Sequence, residues 1–186
     1  MKTKLITLLL LTIILCGCTK KEEEKEIFKK FDHLTEEQSI SKTNDLFIDL
    51  PDWSRNYGEN YFALENEDYF IVGLTNDENL TFDELYNQKI KDILKITVNY
   101  GNYDEFTFNE KEEIKINDYI PSTKFEGTLK MNTNNKTYDY KTYGYYMNYN
   151  NKTIVVMSIE TNNNETKRKE IIKYVDEIVQ TIRKNK

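Results

Sequence analysis

The chain has 186 residues, with 26 Lys and Arg against 32 Asp and Glu, a formal net charge of −6 and one histidine. A net acidic chain lacks the clustered positive charge that phosphate backbones require, which excludes general nucleic-acid binding and any electrostatic pull towards anionic lipid. Six Gly and two Pro exclude a low-complexity chain, and 14 Tyr with 9 Phe supply enough large apolar area for a core without disulfides.

Residues 1–17 read as a secretory leader. Lys2 and Lys4 give a basic start, and Leu5 to Leu15 form an apolar run whose only polar members are threonines. That run is shorter than the about 20 residues a permanent membrane helix needs. The closing Leu15-Cys16-Gly17-Cys18 resembles the lipobox of bacterial lipoproteins: a Leu, a small residue just before the cut, and a cysteine just after it. The resemblance implies cleavage between Gly17 and Cys18. It also implies a diacylglyceryl thioether on Cys18, often with an amide-linked acyl chain, and a place on the outer face of the cell membrane. Loss of Lys2 and Lys4 leaves 24 − 32 = −8 on the mature chain. Both cysteines lie in this stretch and the surviving one is acylated, so no disulfide, zinc site or cysteine nucleophile is expected.

Residues 18–43 read as a charged tether. Its KKEEEKE stretch allows i,i+4 Glu–Lys pairs but has nothing to bury, and as a coil of some 24 residues the tether spans roughly 25–30 Å. Phe28, Phe31 and Leu34 fall at helical spacing, the pattern of a short helix docking on the domain. His33 sits among charged neighbours without a second ligand, and reads as solvated rather than as a metal ligand or base.

The domain, residues 44–186, opens on a strand. Leu46, Ile48 and Leu50 alternate with Phe47 and Asp49, and Pro51-Asp52-Trp53 stops the ladder. Tyr61 to Glu65 and Tyr69 to Thr75 form a hairpin about Asn66-Glu67-Asp68. Thr81-Phe82-Asp83-Glu84 is a capping box, and Phe82, Tyr86, Ile90, Ile93 and Thr97 recur at helical spacing behind it, up to Tyr100-Gly101. Strand pieces follow at Glu105 to Phe108, Glu113 to Ile116 and Lys124 to Met131. A turn at Asn132 to Asn135 leads to a long aromatic strand, Tyr138 to Tyr149. Asn150-Asn151 suits a two-residue hairpin turn, because Asn tolerates positive φ. Thr153 to Ile159 is apolar on both faces, the pattern of a central strand covered on both sides. Ile171, Val175, Ile178 and Ile182 mark a closing helix. This order predicts an α+β fold, an antiparallel β-sheet with helices packed on it.

The order of elements, with LFIDLPDW opening the domain, resembles the PsbP-like superfamily, whose domains hold an antiparallel sheet between helices. The resemblance implies an α/β/α sandwich over about Asn44 to Lys184. Functions within that superfamily range from photosystem accessory proteins to a Ran-binding nuclear import factor. None of its metal or partner motifs recurs here, so the resemblance implies no site residue, and fold likeness alone assigns no function.

No Gly-rich phosphate loop, HExxH or Gly-x-Ser-x-Gly turn is present, and without a usable His or Cys only carboxylates remain as general bases. No enzymatic activity, metal or cofactor is expected. Asp49 and Asp52 read as solvated strand-end acids rather than a Ca²⁺ pair, and Asn76-Asp77-Glu78-Asn79 as a helix start rather than an EF-hand loop. The aromatic strand is the candidate contact patch: alternation puts Tyr138, Tyr140 and Tyr146 on one face and Tyr143, Tyr145 and Tyr149 on the other. Such rings stack on sugars or fill a protein interface where exposed, and are core where helices cover them. The expected function is a membrane-anchored, non-catalytic binding or accessory lipoprotein, with an envelope protein or polymer as partner. The alternative is a solute-capturing or enzymatic module using a pocket between sheet and helix.

Overall fold

A computed structural model of the chain describes residues 36–39, 46–50, 55–56, 61–66, 69–97, 102–133, 135–161 and 164–184. The leader, the Gly17–Cys18 cut, His33 and the Pro51-Asp52-Trp53 step lie outside the described residues.

Strands β1 (Glu36–Ser39), β2 (Leu46–Leu50), β3 (Arg55–Asn56), β4 (Tyr61–Asn66) and β5 (Tyr69–Asn76) precede the helix α1. That helix runs through Phe82–Leu85, a π-helical turn at Tyr86–Ile90, and Lys91–Thr97. After it come β6 (Asn102–Ile116), β7 (Ile120–Thr133), β8 (Lys136–Tyr149), β9 (Lys152–Glu160), the helix α2 (Glu165–Gln180) and β10 (Arg183–Lys184). Seven strands form one sheet in the order β3-β4-β5-β9-β8-β7-β6, and β1-β2-β10 form a second. Every pairing is antiparallel, so the fold is the α+β antiparallel sheet with packed helices that the sequence predicts.

Local chemistry explains the turns. Asn150 and Asn151 close the β8–β9 hairpin with φ of 51° and 59°, the left-handed pair of a tight turn; Asn117, Asp118 and Asn135 take positive φ at the two preceding hairpins. At the start of α1 the expected capping box is complete. Thr81 Oγ1 accepts from the Glu84 backbone N–H at 3.3 Å, and the Glu84 carboxylate accepts from the Thr81 N–H at 2.8 Å. Those Thr81 donors hold the Glu84 carboxyl below its ordinary pKa.

The core lies on both faces of the large sheet. β9 sits between β5 and β8 and is buried at all nine positions. Its Val155, Met157 and Ile159 pack with Phe82, Leu85, Ile90 and Leu94 of α1. The intervening Ile154, Val156 and Ser158 share the opposite face with Tyr143, Tyr145 and Met147, across from α2 and its buried stripe Ile171, Tyr174, Val175, Ile178 and Val179. Apolar residues at both parities of β9 are thus explained by a helix on each side.

Ile182, expected on the closing helix, lies past its end at Gln180, buried beside β10, and two further elements differ from expectation. The pieces Glu105 to Phe108 and Glu113 to Ile116 are one strand, β6, paired with β7 from end to end and carrying register shifts at Tyr103/Glu105 and Phe108/Glu110. The second shift inserts Asn109, so Phe106 and Phe108 point to the α1 face, while Glu110, Glu112, Ile114 and Ile116 point to the α2 face. Charged residues between the apolar ones look like a break in the sequence, yet an edge strand tolerates them. The second difference is β1. Glu36–Ser39, read as tether, pairs with β2 from Glu36 opposite Leu50 to Ser39 opposite Phe47, within a compact unit spanning Leu34–Lys186. Main-chain pairing needs no apolar side chains, so EEQS carries no hydropathy signal of it.

Candidate functional site

Strict alternation along β7 builds the site. Phe125, Leu129 and Met131 turn into the α1 core, which leaves Lys124 and Glu126 on the α2 face. Register places Glu110 and Glu112 of β6 beside them, and Tyr145 and Tyr143 of β8 on their other side. α2 lies over β8 and β9, so this row of polar residues emerges past its edge. A cleft of about 210 Å³ opens there, lined by Glu110, Glu112, Lys124, Glu126, Tyr143 and Ile172 among others.

Tyr143, which lines the cleft, belongs to a hydrogen-bonded trio. Both phenols, Tyr143 and Tyr145, donate to one carboxylate oxygen of Asp176 in α2, the Tyr145 bond measuring 2.7 Å. Their rings meet edge to face at 5.9 Å. Burial, above all, pushes both phenols above their ordinary pKa, and the bond to Asp176 adds to it, so both remain protonated donors at neutral pH. About two helical turns towards the start of α2, past Ile172, lies Arg168. It pairs with Glu126 at 2.9 Å and with Glu160 of β9, whose carboxylate is 3 % exposed. Burial raises the Glu160 carboxyl pKa, and Arg168 pulls against that rise.

The charges facing the cleft are therefore unequal in their commitments. Glu126 belongs to Arg168, and Lys124 Nζ lies 5.7 Å from the centre of the Tyr143 ring. Glu110 and Glu112 are exposed, with no ion-pair partner among the described residues. A volume of about 210 Å³ is below the about 300–1,000 Å³ of ordinary small-molecule pockets. It has room for one long side chain.

The expected tyrosine patch divides. The faces are as alternation predicts, but Tyr143 and Tyr145 are buried against α2 and drop out of any contact patch. Tyr146 is half-buried on the other face, donating to the Leu80 carbonyl and set edge-on to Phe82 at 5.9 Å. Both faces of mid-strand β8 are covered, which is why a single patch cannot form there. Tyr138 is 41 % exposed, stacked at 6.4 Å on a half-buried Tyr140. Tyr149, half-buried, meets the exposed Tyr119 at 6.1 Å and lies under Lys184 Nζ at 5.0 Å. Eleven residues separate Tyr138 from Tyr149, about 37 Å at ~3.4 Å per residue. These are two separate ends of the sheet.

The remaining candidates are structural. Asp49 pairs with Arg183 at 2.9 Å, while Asp52 lies outside the described residues. The Asn76 to Asn79 loop is held to the sheet: Asn76 accepts from Lys89, and the Glu78 carbonyl accepts from Thr153 Oγ1 at 2.8 Å. Among the described residues, no three His, Cys, Asp or Glu side chains group to hold a metal ion, and no helix is long and apolar enough to cross a membrane. Sequence reading passed over Asp176, Glu110 and Glu112. Arg168, Ile172 and Asp176 recur every fourth residue on one face of α2, which is the signal that would have placed Asp176 against the sheet.

No protein-family model matches the chain, and no curated protein does. Among solved structures, the chain is similar to a Pseudomonas aeruginosa protein of unknown function, at 9% identity over 70% of this chain and 88% of that one, with a TM-score of 0.40. It is also similar to a Bacteroides thetaiotaomicron protein, at 14% identity over 81% of this chain and 48% of that one, with a TM-score of 0.42; the chain spans about half the length of that protein.

Proposed function

We propose that this protein is a lipid-anchored, extracytoplasmic binding lipoprotein without catalytic machinery of its own, whose β-rich domain engages an envelope protein. The observation that carries the reading is Leu15-Cys16-Gly17-Cys18 behind a basic, then apolar, start. Two acyl chains on Cys18 give durable attachment where one gives only marginal binding, at about 0.8 kcal/mol per buried CH₂. The cleft beside α2, with space for a side chain and none for an ordinary solute, favours a macromolecular partner over solute capture. Labelled palmitate should enter the wild-type protein and not Cys18→Ala, which should accumulate unprocessed or be shed. A wild-type protein that takes up no label sinks the anchor.

A finer fold reading accompanies it, a PsbP-like α/β/α sandwich. Its support is a helix on each face of an antiparallel sheet and the opening strand LFIDL running into Pro51. Superposing a crystal structure on members of that superfamily tests this reading; agreement confined to a few hairpins would count against it.

A further inference from the structure

We infer that the outer edge of β6, over Glu110–Ile116, is a docking strand for an extended, basic segment of a partner protein, which adds to the seven-stranded sheet and lays a Lys or Arg side chain into the cleft beside α2. The inference rests on the protein being a binding module and is independent of its anchor.

The backbone provides the first argument. β6 ends the large sheet, and among the described residues only β7 pairs with it. In an antiparallel pair, alternate residues turn their N–H and C=O away from the partner, so half of the main-chain groups of this 15-residue strand face outwards. Such an edge is a template for another strand. The bulges at Tyr103/Glu105 and Phe108/Glu110 spoil it over the first half. From Glu110 opposite Glu126 to Ile116 opposite Ile120 the register is unbroken, and the edge is regular.

Charge selects the occupant. Along this run Glu110, Glu112 and Glu113 alternate with Lys111 and Lys115 and Ile114. A second copy of β6 added about a two-fold axis opposes residues of equal parity, so Glu110 and Glu112 never face Lys111 or Lys115: centring on Glu112 puts Glu112 opposite itself, and centring on Lys111 puts Glu110 opposite Glu112. Self-pairing thus leaves these two carboxylates without the cations that a basic strand supplies. The cleft supplies the fit. A strand added at the ~4.8 Å spacing brings its side chains beside Glu110 and Glu112, and a Lys or Arg reaching back about 6 Å over them arrives at the cleft mouth. Glu126 is already committed to Arg168, which leaves Glu110 and Glu112 to meet the incoming cation.

The test uses the full-length protein in a non-ionic detergent and a fluorescent peptide of about nine residues alternating Lys with Thr, long enough to span the run. Two control peptides carry Glu in place of Lys, or a central Pro. The Lys peptide should bind, the others should not, and the outward amides of Glu110–Ile116 should gain hydrogen-exchange protection. Glu110→Lys with Glu112→Lys, both on exposed positions, should leave the thermal midpoint unchanged and weaken peptide binding about tenfold or more. Failure of the Lys peptide to bind, equal binding of the Pro peptide, absent amide protection, or an unaffected double variant each overturns the docking strand. None of these results bears on palmitate labelling at Cys18, so the two readings fail separately.

Discussion

A single oxygen of Asp176 receives the hydroxyls of Tyr143 and Tyr145, so one side chain of α2 satisfies two buried phenols of β8. Replacing Asp176 with Ala removes that shared acceptor, and since the two hydroxyls lie 3.3 Å apart one can turn to the other, which leaves one buried donor unsatisfied at about 1–3 kcal/mol. Urea unfolding of Asp176→Ala should show a loss of about 1–3 kcal/mol, and Tyr143→Phe, which removes only a donor, a smaller loss, under about 1.5 kcal/mol. A silent Asp176→Ala would mean that helix and sheet are held by apolar packing alone. Burial also raises the phenols of Tyr103, Tyr143, Tyr145 and Tyr174 above their ordinary range, so in the unfolded chain they ionise first, near pH 10. Their contribution to stability is complete below about pH 10 and is lost as pH rises from there through the folded values. The thermal midpoint should hold at neutral and mildly alkaline pH, then decline above about pH 10; a midpoint unchanged well above that value contradicts the burial of these rings.

At the scale of elements, β6 depends on one inserted residue. Asn109 moves the following even-numbered positions from the α1 face to the α2 face, which buries Ile116 and leaves Glu110 and Glu112 beside the cleft. Deleting Asn109 would join Phe108, opposite Gly127, directly to Glu110, opposite Glu126, which makes the ladder regular and leaves Glu110, Glu112 and Ile116 on the faces they now occupy. The expected outcome is a retained cooperative thermal transition, and a deletion variant that no longer folds would show that Asn109 does more than carry the strand from one face to the other. The same residue explains what was legible. Where period and turn chemistry agree, as in the Thr81–Glu84 box, the Asn150-Asn151 turn and the doubly apolar β9, the sequence announces the element. Phe106, Phe108, Ile114 and Ile116 share one parity but not one face, and no alternation rule reveals a bulge between them. The cleft was hidden for a related reason. It arises where α2 stops covering β7, a matter of helix placement that charged residues on a strand do not encode.

For the molecule as a whole, β2 gathers both ends of the domain, pairing β1 on one side and β10 on the other, with Arg183 bonded to Asp49 across that junction. The large sheet is joined differently. β6 to β9 form a meander of successive hairpins, and β4 and β5 pair as another. Among the described residues only the β5–β9 pairing unites the two, and its nearest partners, Asn76 and Thr153, are 153 − 76 = 77 residues apart. Closing a loop of n residues costs roughly (3/2)RT ln(n/m) more than closing a hairpin loop of m residues, before any contact repays it. The order of events in folding follows from this strand order. The β6–β9 meander, with its Asn turns, is able to form early from neighbouring chain, while β9 gains its second neighbour only once β5 arrives with α1 already spanning the gap. The slow step is then the sealing of a preformed half-sheet, during which one long edge of Ile, Val and Met stands open to any other unfinished copy of the chain.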